Sequence, residues 1–403
     1  MKVALVHDWL TGMRGGERML ERVARMWPEA PIYTLVWRRG AVSGAIESHP
    51  IVTSFLQHLP AGVAHYRWYL PLFPRAIESF DFRGYDVLVS TSHAVAKGAI
   101  PPPGTFHFCY VHTPMRYVWD LEDQYFPPGR FPWPLSWFVR RTCARLRAWD
   151  VATLERVHAL VTNSQHVADR IRRHYGREAE VIGGPADLSR FGGAAGPPGP
   201  GPGTAQARGY YLLAGAFAPN KRGDLAVEAC RRLGRRLVVV GSGQEERTLR
   251  RLAAPGTEFR GWVDDEELPG VYAGARALLF PGEEDLGLMP IESLASGTPV
   301  IAFGRGGALE TVGRGASPEA LARVAAGGVA RVPGGVLFGT QSADGVAAAI
   351  GLFERERFEP AALRALAEPF ASERFDTRFR EAFERAHSAW MRESRPRGSY
   401  GSK

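Results

Sequence analysis

Pro281-Gly-Glu-Glu-Asp-Leu-Gly-Leu-Met-Pro-Ile-Glu-Ser-Leu-Ala-Ser-Gly-Thr-Pro-Val-Ile301 decides how this chain is read. It follows Ala275-Arg-Ala-Leu-Leu-Phe280, an apolar run that predicts a buried strand. A glycine-containing loop comes next. Met289–Ala295 then predicts a short helix, with Pro290 in its first turn and Gly297 past its end. Parallel α/β sheets bind ligands at such a strand–loop–helix edge, and the free N–H groups of a helix start attract phosphate. Glu284 and Glu292 flank the turn with seven residues between them. Carboxylates beside a phosphate are costly unless they bind something else, and a vicinal diol offers a carboxylate two hydrogen bonds. Phosphate donors beside diol acceptors imply a nucleotide-sugar site. Two solvated acids on an ordinary turn are the plainer alternative.

The rest of the composition fits a large α/β protein. The 403 residues suffice for two domains, and 45% hydrophobic content supports a sizeable core. Fifty basic against 42 acidic residues give +8, which favours anionic partners such as nucleotide diphosphates, nucleic acid or an anionic membrane face. Nearly all the basic residues are Arg; the lysines are Lys2, Lys97, Lys221 and Lys403. Cys109, Cys143 and Cys230 are scattered, with no metal-ligand spacing and no even disulfide set, which reads as a reducing, cytoplasmic compartment. The chain opens on a strand pattern, Lys2–Val6, with no leader, and no apolar run is long enough to span a membrane.

Upstream of the central stretch, Tyr210–Ala214 predicts a strand, Gly215–Arg222 a loop and Asp224 the opening of a helix, with the Asp accepting from its first amides. Lys221 stands alone between residues 98 and 402, a compact positive charge suited to a diphosphate. Arg236–Val240 is a further strand, ending in Gly241-Ser-Gly-Gln. Asp264–Leu268 predicts a helix with acids in its first turn. Gly192–Thr204 has no apolar periodicity and reads as a Pro/Gly linker, and Gly398–Lys403 as a disordered tail.

In the first half, Val3–Val6 predicts a strand, His7–Glu17 a Gly-rich loop and Arg18–Trp27 a helix. Gly15-Gly16 lacks dinucleotide-binding spacing; it reads as a close approach to phosphate or as a plain tight turn. Tyr85–Ser90, Phe106–Val111 and Ala159–Thr162 are strands, and Ser164 is an N-cap. His112 lies at a strand's C-terminal edge, where an α/β site would be, although a lone His is commonly structural. Residues 126–149 interleave Trp, Phe and Arg. They suit an anionic membrane interface, or a Pro-rich loop entering a core helix; stacking on nucleic acid ranks last.

Glu284, seven residues, Glu292, then Ala-Ser-Gly-Thr-Pro-Val-Ile, resembles the signature of the family 4 glycosyltransferases, retaining enzymes of the GT-B fold. His112-Thr-Pro-Met-Arg-Tyr117, the Gly15-Gly16 pair, Gly241-Ser-Gly, Gly306-Gly-Ala-Leu-Glu-Thr-Val312 and Gly334–Phe338 match family patterns too. The resemblance implies two Rossmann-like domains facing each other across a cleft. Residues 1–191 would form the acceptor domain, 192–208 the linker and 209–372 the donor domain. A helix over 373–395, with Phe375, Phe379, Phe383 and Trp390 on one face, would return to the first domain.

The resemblance also implies roles. His112, Lys221, Arg222 and Glu284 would be catalytic. Gly15, Gly16, Gly215, Gly241, Val263, Gly287, Leu288, Met289 and Glu292 would bind the donor, and Arg116 and Asp120 the acceptor. No metal and no cofactor are expected. Ala216 stands where the family carries an Arg on the diphosphate, and Arg222 is the substitute. The Glu-Glu-Asp-Leu-Gly-Leu-Met-Pro-Ile-Glu variant with His7-Asp-Trp9 resembles the mannosyltransferase branch, so GDP-mannose is expected over a UDP-sugar. The acceptor would be a glycan or polyprenyl-diphosphate-linked glycan of bacterial surface polysaccharide, reached from the inner face of the cytoplasmic membrane. Two alternatives stand: an epimerase of the same fold, and a non-catalytic sugar- or membrane-binding scaffold, for which Ala216 speaks.

Overall fold

In this computed structural model, residues 1–127, 129, 132–192 and 209–394 are described. The linker stretch 193–208 and the tail Gly398–Lys403 lie outside them. The chain divides into two units, Met1–Pro185 with the segment from Phe375 onward, and Ala186–Arg374.

In the first unit short apolar runs form a parallel sheet. Its strands are β1 (Val3–His7), β2 (Ile32–Thr34), β3 (Ile51–Thr53), β4 (Val87–Ser92), β5 (Phe106–Val111), β6 (Ala159–Thr162) and β7 (Glu180–Val181). They lie in the order β3-β2-β1-β4-β5-β6-β7. β1, β4 and β5 are buried along their whole length, as central strands covered on both faces must be. The helices that matter here are α1 (Gly15–Met26), α2 (Trp133–Ala152) and α3 (Gln165–Tyr175). α1 buries Met19, Leu20, Val23 and Ala24, one face of a helical period. Ser164 caps α3, accepting from the Val167 N–H at 3.2 Å.

A buried ion pair ties this unit together. Lys97, 1% exposed, places Nζ 2.7 Å from Asp150 Oδ1 and donates to Thr153 Oγ1 at 2.8 Å. Trp119 Nε1 and the Tyr175 hydroxyl each donate to Asp150 Oδ2 at 2.8 Å.

The second unit repeats the plan. β8 (Tyr210–Ala214), β9 (Leu237–Val240), β10 (Glu258–Gly261), β11 (Ala275–Phe280), β12 (Val300–Phe303), β13 (Val329–Val332) and β14 (Gly335–Phe338) are ordered β10-β9-β8-β11-β12-β14-β13. β13 alone among them pairs antiparallel, with β14. α4 (Gly223–Leu233) follows β8, and α5 (Leu288–Ala295) follows β11. α6 (Ser372–Ser394) carries the chain back into the first unit. There Phe375, Phe379 and Phe383 join Val87, Val89, Phe106 and Phe108 in one buried cluster, with the Phe379 and Phe108 rings 5.3 Å apart.

Several boundaries differ from the sequence reading. α1 starts at Gly15, so Gly15-Gly16 is the first turn of the helix and not a loop before it. Glu17 enables this early start: its Oε2 accepts from the Arg14 N–H at 3.0 Å. Residues 186–191 pack with the second unit and not the first. Ala186 N–H donates to Phe370 O at 2.8 Å, and Phe191 lies against Tyr272 with ring centroids 5.9 Å apart. Asp264–Glu267 precede the helix Leu268–Gly274, whose first turn holds no acid. α2 is not a core helix over its first half, because only Cys143, Leu146 and Asp150 are buried.

Candidate functional site

Both sheets run outward one way from a central strand and then restart beside it on the other side. The restart lies between β1 and β4 in the first sheet and between β8 and β11 in the second. The carboxyl ends of two strands that flank such a reversal leave a crevice in which α/β proteins hold ligands.

In the second unit the loops after β8 and β11 meet there. The β8 loop turns through Pro219–Lys221, and Lys221 Nζ forms an ion pair with Glu284 Oε1 from the β11 loop. A Cβ on Gly282 would lie 2.8 Å from Lys221 Cα, so glycine is what lets the two loops approach. The β11 loop is also anchored to the next one: Gly307 N–H donates to Glu284 O at 2.8 Å. On the β8 side, Gly215 (φ +113°) leaves room for Met289, and Gly241 (φ +120°) sits against the Gly215 carbonyl, where a Cβ would be 2.0 Å from the oxygen. Glu292, on α5, is 8% exposed and accepts from the Tyr272 hydroxyl at 3.0 Å. Gly287 (φ +83°) is the N-cap of α5, and Leu288 and Met289 fill its first turn. The site thus offers an ammonium, two carboxylates and helix-start amides at one sheet edge.

Two family models match this chain. The model described as Glycosyltransferase Family 4 covers residues 13–190, and the one described as Glycosyl transferases group 1 covers 208–351. The chain belongs to the family 4 glycosyltransferases. A GDP-mannose-dependent alpha-(1-6)-phosphatidylinositol monomannoside mannosyltransferase of Mycobacterium tuberculosis is 38% identical over 114 residues, 24% of this chain and 30% of that protein. This chain therefore matches less than a third of that curated relative's length. Among solved structures, sucrose-phosphate synthase from Thermosynechococcus elongatus superposes with a TM-score of 0.67 at 17% identity, covering 96% of this chain and 100% of that one. Anabaena HepE in complex with UDP superposes with a TM-score of 0.61 at 16% identity, over 96% and 100%. These likenesses show the two-domain, Rossmann-like GT-B fold.

The residues expected from the family signature are distributed unevenly. Lys221, Glu284, Gly215, Gly287, Leu288 and Met289 sit at the second unit's reversal or at the start of α5; Glu292 lies one turn further along α5, and Gly241 follows β9 and packs on Gly215. Val263 follows β10, half-buried. Arg222 departs from expectation. Its backbone is left-handed (φ +51°), and Nε and Nη2 each donate to Asp224 at 3.1 Å. The guanidinium is thus committed to its own turn, and Asp224, expected to accept from helix-start amides, accepts from Arg222.

In the first unit, His112 follows β5 directly and is half-buried; desolvation of its imidazole holds it well below the ordinary pKa, with the neighbouring His93 and His7 acting in the same sense. Gly16 lies beside it: a Cβ there would be 3.8 Å from His112 Nε2. Arg116 opens the short helix Arg116–Trp119. Asp120 is otherwise engaged. Its carboxylate is held by Arg170 and by His174 Nε2 at 3.1 Å. Burial opposes its charge, but Arg170 outweighs that and lowers its pKa. Its place is structural in this geometry, joining the loop after β5 to α3.

Tyr272 and Asp8 were missed. Tyr272 had no signal in its own surroundings. Asp8 sits in the quoted His7-Asp-Trp stretch, but its role, accepting from the backbone N–H groups of residues 93–96, depends on a loop 85 residues away.

Proposed function

We propose that this chain transfers a sugar from a nucleoside diphosphate to a hydroxyl group with retention at the anomeric carbon, with GDP-mannose as donor. The observation that carries the reading is the Lys221–Glu284 pair across the β8/β11 reversal, with Glu292 on α5, the helix that follows the β11 loop. The barrier lies in separating an oxocarbenium-like sugar from a leaving diphosphate. Lys221 and the amides of α5 are oriented positive groups that stabilise the diphosphate as its charge grows. Glu284 binds hydroxyls of the transferred ring. Glu292 binds the ribose diol, with Tyr272 fixing the carboxylate. With Arg222 tied to Asp224 and Ala216 apolar, Lys221 carries most of the side-chain charge compensation. In this scheme the departing phosphate accepts the acceptor's proton. The mannosyl donor is supported by the wording of the mycobacterial relative's name and by the sequence stretch that resembles that branch.

The acceptor of this reading is a lipid-linked or surface glycan, reached at an anionic membrane face. Trp133 is 80% exposed and Trp137 57%, and Leu135 and Phe138 are exposed beside them. Arg140, Arg141 and Arg145 are exposed on the same helix, and the Arg141 guanidinium lies 5.6 Å from the Trp137 ring. Indole and guanidinium together suit the boundary between acyl chains and lipid phosphate.

The test is thermal shift against a panel of nucleotides and nucleotide sugars, with Glu292→Ala alongside. A ligand at about 100 times its dissociation constant stabilises by roughly 2.7 kcal/mol. GDP and GDP-mannose shifts that vanish in Glu292→Ala support the reading. A UDP-selective shift replaces the donor. No shift with any nucleotide overturns it.

A further inference from the structure

β12 ends beside β11, and the turn that follows it, Gly304-Arg-Gly-Gly307, carries one side chain, that of Arg305. Its backbone is held from both sides. Gly304 N–H donates to Phe338 O on β14 at 2.8 Å, and Gly307 N–H donates to Glu284 O on the β11 loop at 2.8 Å. Gly306 pairs with Glu284 as a parallel bridge, and strands paired in this way lie about 4.8 Å apart. The approach needs glycine: at Gly306 (φ +63°) a Cβ would lie 2.3 Å from the Glu284 carbonyl oxygen and 3.3 Å from Glu283 Cγ. The turn thus presents Arg305 at the carboxyl edge of the sheet, one residue from the backbone that pairs with Glu284.

An exposed arginine by itself marks nothing, since water satisfies it. Arg305 is exposed, and its guanidinium lies 5.8 Å from the centroid of the buried Phe303 ring. Its stem therefore has an apolar support while its head stays free. The other basic side chains on the turns directly after β8, β11 and β12 are engaged: Lys221 with Glu284, and Arg222 with Asp224. Among the described residues Arg305 is the cation of these turns with no hydrogen bond or ion pair to the protein.

The charge at this edge leaves a task for it. Glu283, Glu284 and Asp285 are consecutive and half-buried on the β11 loop, and Glu292 follows on α5, against the one ammonium of Lys221. A diphosphate entering there meets more carboxylates than cations, and like charges a few ångströms apart repel strongly at a partly desolvated edge. A guanidinium has five N–H donors in a planar fork, which matches two oxygens of one phosphate.

We propose that Arg305 is a second phosphate-binding side chain of the donor site. Its guanidinium donates to the donor's diphosphate from the β12 side, and Lys221 does so from the β8 side. The proposal rests on the transfer reaction above. In that reaction the bond from the sugar's anomeric carbon to the diphosphate oxygen breaks, and its electron pair goes to that oxygen. The acceptor oxygen bonds to the anomeric carbon, and its proton goes to the departing phosphate. Arg305 stays protonated throughout and holds the oxygens on which charge gathers.

The test compares wild type with Arg305→Ala, Arg305→Lys and Arg314→Ala. Arg314 is an exposed arginine further along the same connection, so its removal deletes equal charge away from the turn. Calorimetric affinities for GMP, GDP and GDP-mannose are measured with steady-state GDP release, and with UMP, UDP and a UDP-sugar if wild type selects uracil. Arg305→Ala is expected to weaken both diphosphates at least about tenfold, to leave the monophosphate within about twofold, and to lower kcat at least about tenfold. Arg305→Lys regains part of both losses, and Arg314→Ala behaves as wild type.

Equal weakening of monophosphate and diphosphate by Arg305→Ala, or the same losses in Arg314→Ala, overturns the phosphate contact. So does a loss confined to the sugar-bearing nucleotide. Wild-type behaviour of Arg305→Ala overturns it too and leaves the transfer reaction standing. A wild type that binds no nucleotide overturns the transfer reaction, and the role of Arg305 with it.

Discussion

Residues 186–374 contain no histidine; all eleven of the chain's histidines fall in the other unit, and Trp262 is the second unit's one tryptophan out of ten. Yet the two sheets share their order over five strands, β3-β2-β1-β4-β5 and β10-β9-β8-β11-β12, and differ only at the far edge. One parallel sheet places ligand-facing loops at its reversal whatever those loops contain, so the chemistry can diverge while the scaffold repeats. The first unit presents neutral imidazoles and aromatic rings. The second presents a lysine, two carboxylates and glycines that let loops nest.

The largest expected effect separates the units by stability. Lys97→Met leaves Asp150 buried without its cation and is expected to destabilise the first unit by about 3–5 kcal/mol. Tryptophan fluorescence on denaturation reports it, since nine of the ten tryptophans lie in that unit. A loss under 1 kcal/mol would mean Asp150 is satisfied by Trp119 and Tyr175 alone. Lys221→Ala does the reverse, costing about 10²–10³ in transfer rate with little change in stability; steady-state release of the nucleotide measures it. Gly241→Ala forces a Cβ against the Gly215 carbonyl and should cost the second unit about 1–3 kcal/mol by calorimetry, whereas Gly16→Ala should not destabilise the first.

Acid sharpens the contrast. Burial lowers His7 and His107 to about 3 and His112 in the same direction. The folded state then refuses protons that the unfolded chain takes up below its ordinary histidine pKa of about 6.5. Their contribution is intact above that pH and is lost as pH falls through the window towards 3, at roughly 1.4 kcal/mol per pH unit per histidine. Tryptophan fluorescence should show the first unit unfolding earlier on acidification. The second unit has no histidine to lose stability by this route. The smallest effect on folding belongs to Trp137→Glu, within about 0.5 kcal/mol of wild type; it should weaken sedimentation with phosphatidylglycerol vesicles.

Apolar runs such as Ala275–Phe280 and Phe106–Val111 made the strands readable, because a doubly covered strand needs little but hydrophobicity. Glu284, Glu292 and Lys221 were readable for a similar reason: one strand–loop–helix unit, or its neighbour, carries each. What stayed hidden was pairing over distance. Nothing in the sequence around Lys97 points to Asp150, and only the fold shows the two buried together. Asp120 and Arg222 seemed available for substrate until Arg170 and Asp224 were seen to hold them. His7, His93 and His112 come together from three strands' ends, and no local spacing records it.

The return of α6 sets an order on biosynthesis. Phe106 and Phe108 emerge from the ribosome early, but Phe379 and Phe383, which cover them, come only after the whole second unit. At roughly 5–20 residues per second, that face of the first sheet waits on the order of tens of seconds. The unit made first is the unit finished last. A nascent chain arrested anywhere in the second unit displays an uncovered aromatic surface, of the kind that chaperones hold.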